Sequence, residues 1–113
     1  MRFLIVTFLL IFLCQCTTLS TEITRDEEGI PVVFRFVDHR AKKVCLGGGF
    51  NEWSPQAHCM KQEKGVWTVS LSLLPGRYPY LFLIDDQDWE LDPGATLSED
   101  TGFGSKNSVL IVE

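Results

Sequence analysis

In the segment Val66–Leu73 apolar and polar residues alternate from Trp67 onward, a pattern that a β-strand with one buried face satisfies. A helix could not bury these positions together, because its side chains return to the same face only about every 3.6 residues. We therefore expect this segment to lie in a sheet, with its apolar positions facing the core. Those positions are Trp67, Val69, Leu71 and Leu73.

Further segments rich in β-branched and aromatic residues are separated by turn-forming residues, as in small all-β domains. The predicted strands are 31–38, 42–46, 77–84 and 109–112. The second is expected to end at the glycine run 47–49. Pro79 cannot donate a ladder hydrogen bond, which predicts that its strand lies at a sheet edge or carries a bulge. The predicted fold class is all-β, an antiparallel β-sandwich.

The N-terminus has a different composition from the rest of the chain. An apolar run follows Arg2 and ends at Cys14, which is shorter than the roughly 20 residues of a membrane-spanning helix. This pattern predicts an export signal over residues 1–15. Cys16 lies in a sequence similar to a bacterial lipobox, so we expect lipidation there, in a cell envelope. Ordinary cleavage nearby, which would give a secreted product, is the alternative.

Residues 16–29 are polar and acidic, and we expect them to form a flexible tether. The remaining residues, 30–113, are enough for one domain only. The chain carries a formal net charge of −5 and no basic stripe, which argues against nucleic acid and anionic lipid surfaces as partners. Membrane attachment is therefore expected only through a lipid on Cys16.

Cys45 and Cys59 lie within the predicted domain, on either side of a turn-rich stretch. Export would permit a disulfide between them. The alternative is two separately buried thiols, since free cysteine packs as a small hydrophobic residue. Their spacing matches no zinc pattern, and we expect neither a metal nor a cofactor.

Catalytic motifs are missing from the sequence, and we do not expect an enzyme. Acidic residues cluster between Asp85 and Asp92, where paired carboxylates could suggest glycoside hydrolysis. A hairpin turn in a small sandwich offers little cleft for such chemistry. A calcium loop would need a central glycine and a distal glutamate that the segment lacks. A solvated turn is the favoured interpretation.

Trp53 and Trp89 each follow a turn-rich segment, unlike Trp67, which lies in a clean strand pattern. Sugar rings present apolar C–H faces that stack on flat aromatic side chains. The two tryptophans could therefore form a stacking surface, and minor-core packing under loops is the alternative.

Several motifs in order resemble the family-48 carbohydrate-binding modules, which include the isoamylase N-terminal domain and the glycogen-binding domain of the AMP-activated protein kinase β subunit. The motifs are Val44–Pro55, Gly65–Trp67, Pro75–Tyr80, Asp92-Pro93 and Gly102–Ser108. The resemblance implies an early-set, immunoglobulin-like β-sandwich. It also implies a non-catalytic module that binds α-glucans such as glycogen, starch or maltodextrin.

The resemblance places two tryptophans of the sugar platform at Trp53 and Trp89, which we expect to share one outward-facing surface. Phe103 takes the place of an apolar residue that projects into the sugar helix, and Asn107 that of an asparagine bonding sugar hydroxyls. The departure is Leu81, where glycogen-binding members carry a lysine. Leucine can pack on a sugar but cannot donate a hydrogen bond, which implies weakened binding.

Two functions follow from these patterns. The first is an α-glucan-binding module, displayed on an envelope or secreted. The alternative is a protein-interaction or structural envelope domain that has kept the sandwich and lost the sugar, with another envelope protein as its partner. Leu81 favours this alternative, and fold alone does not determine function.

Overall fold

The computed structural model describes residues 29–113, which form two antiparallel sheets and one short 3₁₀ turn, Pro55–Ala57. The strands in chain order are β1 (Ile30–Val37), β2 (Val44–Gly48), β3 (Lys61–Glu63), β4 (Val66–Leu73), β5 (Gly76–Ile84), β6 (Asp88–Glu90), β7 (Leu97–Asp100) and β8 (Lys106–Val112). The export signal, the lipidation of Cys16 and the tether lie outside the described residues. Within residues 29–113, no helix is long and apolar enough to cross a membrane.

The first sheet has the strand order β1-β4-β3, and the second has the order β2-β5-β8-β7. β6 also pairs with β5, at residues whose opposite backbone side pairs with β2. β8 and β6 therefore lie on the same side of β5, one after the other along its length. The predicted antiparallel β-sandwich is confirmed, since strands dominate and both sheets pair antiparallel throughout.

Aromatic side chains from the two sheets meet to form the core. Phe36 of β1 packs on Phe82 of β5 with ring centroids 4.8 Å apart, and Phe34 meets the edge of Tyr80 at 5.1 Å. Such pairs add about 0.5–1.5 kcal/mol beyond the burial of their area. Trp67 is buried, and its Nε1 donates a hydrogen bond to the Asp38 carbonyl at 3.0 Å. The core position predicted for Trp67 is confirmed.

The sequence did not predict three of the strands, because they are short and polar. β3, β6 and β7 contain only three or four residues each, and nearly all their side chains are exposed or half-buried. They exist because a longer neighbour supplies their backbone partners. β2 also extends through Gly48, beyond the predicted end at Leu46, because both glycines pair with β5.

The prediction that Pro79 marks an edge strand or a bulge is wrong. β5 lies inside its sheet, with one-to-one pairing to β2 and to β8. The Pro79 carbonyl accepts a hydrogen bond from Gly49 N at 2.9 Å, so the nitrogen of Pro79 faces the same side, just past the end of β2. Because no ladder continues there, the absent N–H removes no hydrogen bond within the paired strands.

A disulfide joins Cys45 of β2 to Cys59, which precedes β3. The two cysteines also form an antiparallel bridge, and Met60 N donates to the Val44 carbonyl at 2.8 Å. The disulfide therefore joins the end of the segment 46–58 to β2, the edge strand in which that segment begins. Cys45 is also buried. Burial fits both the disulfide and the alternative of two separate thiols, so the bond itself distinguishes them.

We predict that reducing this disulfide lowers the free energy of unfolding by about 3 kcal/mol, the entropy of closing a loop of about 15 residues. The separation of the cysteines is 14 residues. Urea unfolding with and without a reductant measures the effect. A Cys45→Ser/Cys59→Ser variant is the control, because the reductant should leave its unfolding curve unchanged. Equal reductant effects on both proteins would contradict the prediction.

Candidate functional site

The outward side of the second sheet brings together residues that are far apart in sequence. Gly47 of β2 lies opposite Leu81 of β5, and Leu83 lies opposite Trp89 of β6. These residues alternate with the core-facing Phe82, so they share the outer surface. We call this outward side of β2, β5, β6 and β8 the platform face.

Trp89 reaches across β5 to rest against the backbone of β2. A Cβ atom on Gly47 would lie 2.9 Å from Cη2 and Cζ3 of the Trp89 indole, closer than real Cβ contacts. The absence of a side chain at Gly47 is therefore what admits the ring. Trp89 was predicted in a polar turn, but it belongs to the short strand β6, which directs its side chain onto the platform face.

Trp53 and Trp89 are in contact on the platform face. Their ring centroids lie 6.2 Å apart, and the ring planes make an angle of 68°. Both rings are partly open to solvent, with exposed fractions of 38% and 45%. The two indoles thus share one outward-facing surface, but they form an edge-to-face corner rather than a flat wall.

Asn51 shapes the loop that carries Trp53. Its side chain accepts a hydrogen bond from Gly48 N at 3.0 Å and donates one to the Leu46 carbonyl at 2.8 Å. It also contacts His58 Nδ1 at 2.9 Å. These contacts join the start of the loop to its end, and they give His58 a structural role.

Glu52 and Trp53 both have positive φ, 54° and 60°, which is rare for bulky residues. Such conformations cost of order 1–3 kcal/mol and persist only where the surroundings determine them. Here Trp53 N donates to the Gly48 carbonyl at 2.9 Å. The left-handed backbone conformation, held by this hydrogen bond, places the Trp53 ring beside Trp89.

The corner between the two indoles is one end of a groove of about 550 Å³ on the platform face. The lining residues are Trp53, Leu81, Trp89, Leu91, Ser105 and Lys106. The last three residues were not among those expected from the sequence. Leu91 follows Trp89 by two residues, a spacing typical of one strand face that could have revealed it. Ser105 and Lys106 carry no such signal, because only the strand order brings β8 beside β6.

Phe103 lies outside the groove, at the tip of the loop between β7 and β8. It is 93% exposed, and the flanking Gly102 and Gly104 have φ values of 87° and 85°. Thr101 N donates to the Ser105 carbonyl at 3.0 Å, which closes the loop beneath the ring. The loop thus holds a large apolar side chain in solvent beside the groove.

Asn107 of β8 faces the same side as the groove but does not line it. It lies opposite Glu99 of β7, and its Nδ2 donates to Glu99 Oε2 at 3.2 Å. The pairing of β5 with β8 ends at Tyr80 and Ser108. Asn107 therefore lies just past the last residue of β8 that pairs with β5.

Asp85 and Asp92, at the two ends of the acidic segment, stabilise the fold through hydrogen bonds. Asp85 Oδ1 accepts hydrogen bonds from the backbone of Lys42 and Lys43, at 2.8 and 2.9 Å. Asp92 accepts one from the Tyr80 hydroxyl, and burial together with this bond raises the pKa of the Tyr80 phenol. In the described part of the chain, no group of three or more His, Cys, Asp or Glu side chains could hold a metal ion.

A second and larger groove, of about 690 Å³, lies between β1, the 92–97 segment and β8. β1 pairs only with β4, so among residues 29–113 its other edge has no strand partner. None of the predicted sugar-binding residues lines this groove.

Residues 30–113 match the family described as the glycogen recognition site of AMP-activated protein kinase. The match spans every strand of the sandwich. The chain belongs to this family, a family of non-catalytic carbohydrate-binding domains.

Relatives place the domain within much longer proteins. The chain is 40% identical over 72 residues to Protein PTST homolog 2, chloroplastic, from Arabidopsis thaliana, and 35% identical over 72 residues to Protein FLOURY ENDOSPERM 6, chloroplastic, from Oryza sativa subsp. japonica. Each match covers 64% of this chain and 13% of the relative. A crystal structure of maltogenic amylase from S. marinus superposes with a TM-score of 0.63 at 25% identity, covering 74% of this chain and 13% of the amylase.

We predict that Gly47→Ala displaces the Trp89 indole, because the added Cβ would lie 2.9 Å from the ring. The indole Nε1–H resonances of Trp53 and Trp89 in a ¹H–¹⁵N NMR spectrum should shift, while most of the core resonances stay in place. Gly76→Ala is the matched control, since its Cβ meets only ordinary contacts at 3.5 Å or more. Unchanged indole resonances in Gly47→Ala would show that the ring does not rest on Gly47.

Proposed function

We propose that residues 30–113 form a non-catalytic module that binds α-glucans such as glycogen, starch or maltodextrin. One observation carries the proposal. Trp53 and Trp89 meet on one outward surface, half exposed, in a chain that belongs to the glycogen-recognition family. Solvent exposure of two contacting indoles costs hydrophobic free energy, and a ligand that covers them recovers it.

The shape of the groove supports a sugar polymer over a small charged ligand. Apolar side chains make up most of its lining, and sugar C–H faces stack on such surfaces. The 68° corner suits two glucose units tilted relative to each other, as in a curved α-linked chain. Phe103 would meet the same chain from the neighbouring loop, and Asn107 would bond its hydroxyls.

The named relatives support the same ligand class. The family description names glycogen, and one of the structural neighbours is a maltogenic amylase. Since this chain spans 13% of each, their full activities do not transfer to it. Export and a lipid on Cys16 stay predictions; with them, the module would meet its glucan outside the cytoplasm.

We predict that the protein binds maltoheptaose and that Trp53→Ala or Trp89→Ala weakens binding about five- to 150-fold, because each removes one stacking surface. Base–aromatic stacking, a comparable contact, is worth about 1–3 kcal/mol per ring. Isothermal titration calorimetry measures the affinities.

Val33→Ala is the control for this experiment. Val33 is exposed on the other sheet, so its truncation should leave the affinity unchanged. Folded wild-type protein that gives no binding heat at millimolar maltoheptaose would refute the proposal.

We predict that Leu81→Lys raises maltoheptaose affinity about two- to tenfold, since one added hydrogen bond contributes about 0.5–1.5 kcal/mol. Leu81 lines the groove and is half-buried, so a lysine there would extend along the apolar surface with its ammonium group in solvent. Leu81→Met, which keeps the size and adds no donor, is the matched control. Equal affinities of the lysine and methionine variants would contradict the expected hydrogen bond.

Within residues 29–113 one edge of β1 has no strand partner, and this observation favours the alternative function, a protein-interaction domain. An extended peptide could add a strand to such an edge, and the larger groove lies beside it. The tryptophan variants separate the two functions. A domain that only binds protein would show no maltoheptaose binding in any variant.

A further inference from the structure

We infer that Glu99 is a positioning residue for the sugar-binding side chain of Asn107: it orients the Asn107 amide so that its acceptor and one donor are available on the platform face. The inference rests on the proposed function, since it concerns how Asn107 meets a glucan hydroxyl. Glu99 itself is placed beside the groove and not in it. Its role would therefore act through Asn107.

The orientation of the amide follows from the chemistry of its partner. Asn107 Nδ2 lies 3.2 Å from Glu99 Oε2, and Glu99 Oε1 lies 2.8 Å from a guanidinium nitrogen of Arg77. An ionised carboxylate can only accept hydrogen bonds, so the atom facing it must be the amide nitrogen. If the amide were turned over, its oxygen would face a carboxylate oxygen, and the two acceptors would repel.

The remaining groups of the amide are free for a ligand. Glu99 is the hydrogen-bond partner of this side chain within residues 29–113, which leaves Asn107 Oδ1 and the second N–H unused. A sugar hydroxyl, which both donates and accepts, can use both.

Arg77 keeps the positioning carboxylate charged. Its hydrogen bond, and then that from Asn107, hold the pKa of Glu99 below its ordinary value of 4.5. On the platform face, the charged side chain that contacts Glu99 is Arg77 of β5. The other neighbours of Glu99 on this face are Leu97 of β7 and Asn107 and Val109 of β8. The orienting effect should thus be complete at neutral pH and disappear as the pH falls through the lowered pKa.

Glu99→Gln tests the inference, because glutamine has the same size but can present either an oxygen or an amino group to Asn107. We expect maltoheptaose affinity to fall about two- to tenfold at pH 7, the effect of one hydrogen bond. In an Asn107→Ala background the same substitution should have no effect. An equal loss in both backgrounds would overturn the positioning role, since Glu99 would then act independently of Asn107.

Glu63→Gln is the matched control for charge. It makes the same Glu-to-Gln change at an exposed position of β3, in the first sheet and away from the platform face. Its affinity should equal that of the wild type. Thermal unfolding of each variant shows whether the sandwich is intact.

The side-chain NMR resonances of Asn107 distinguish a failure of this inference from a failure of the proposed function. In the wild type the Asn107 ¹⁵NH₂ signals should shift as the pH falls below 4.5, and in Glu99→Gln they should not. This measurement needs no sugar. Absence of glucan binding with a titrating Asn107 amide would refute only the proposed function, and a pH-insensitive amide would refute the positioning role.

Discussion

The alternation of β5 is the constraint on which both the core and the groove depend. Its inward positions place Tyr80 and Phe82 against the aromatic side chains of the opposite sheet. Its outward positions place Leu81 in the groove and Leu83 between Cys45 and Trp89. Because consecutive strand residues point to opposite sides, a slip of one residue would remove the core and the groove together.

Close approach of an indole to a strand backbone then creates the candidate site. Trp89 comes from a strand of three residues, and its ring rests where Gly47 has no side chain. Trp53 meets it from a loop held by Asn51 and by the disulfide at its base. The corner between the rings is therefore built from β2, its loop and β6, with β5 as the common support.

A buried polar network holds β6 in the correct place relative to β8. The Tyr80 hydroxyl donates to Asp92, and Asp92 N donates to Ser108 Oγ at 2.9 Å. Burial and the carboxylate raise the pKa of Tyr80, so it remains a donor through the physiological range. The network joins the end of β6 to the strand that carries Asn107. It thereby connects the two parts of the proposed sugar surface.

Strand alternation and turn residues are local signals, and from them the sequence predicts the sandwich class, the core position of Trp67, and Trp53 and Trp89 as candidate stacking residues. It did not reveal the interior position of β5, where Pro79 is tolerated because β2 ends beside it. Nor did it reveal the 68° corner, the contact of Trp89 with Gly47, or Ser105 and Lys106 beside Leu91. These features depend on strand order and register, which bring together backbones that are distant in the chain, and no local pattern encodes their distance or angle.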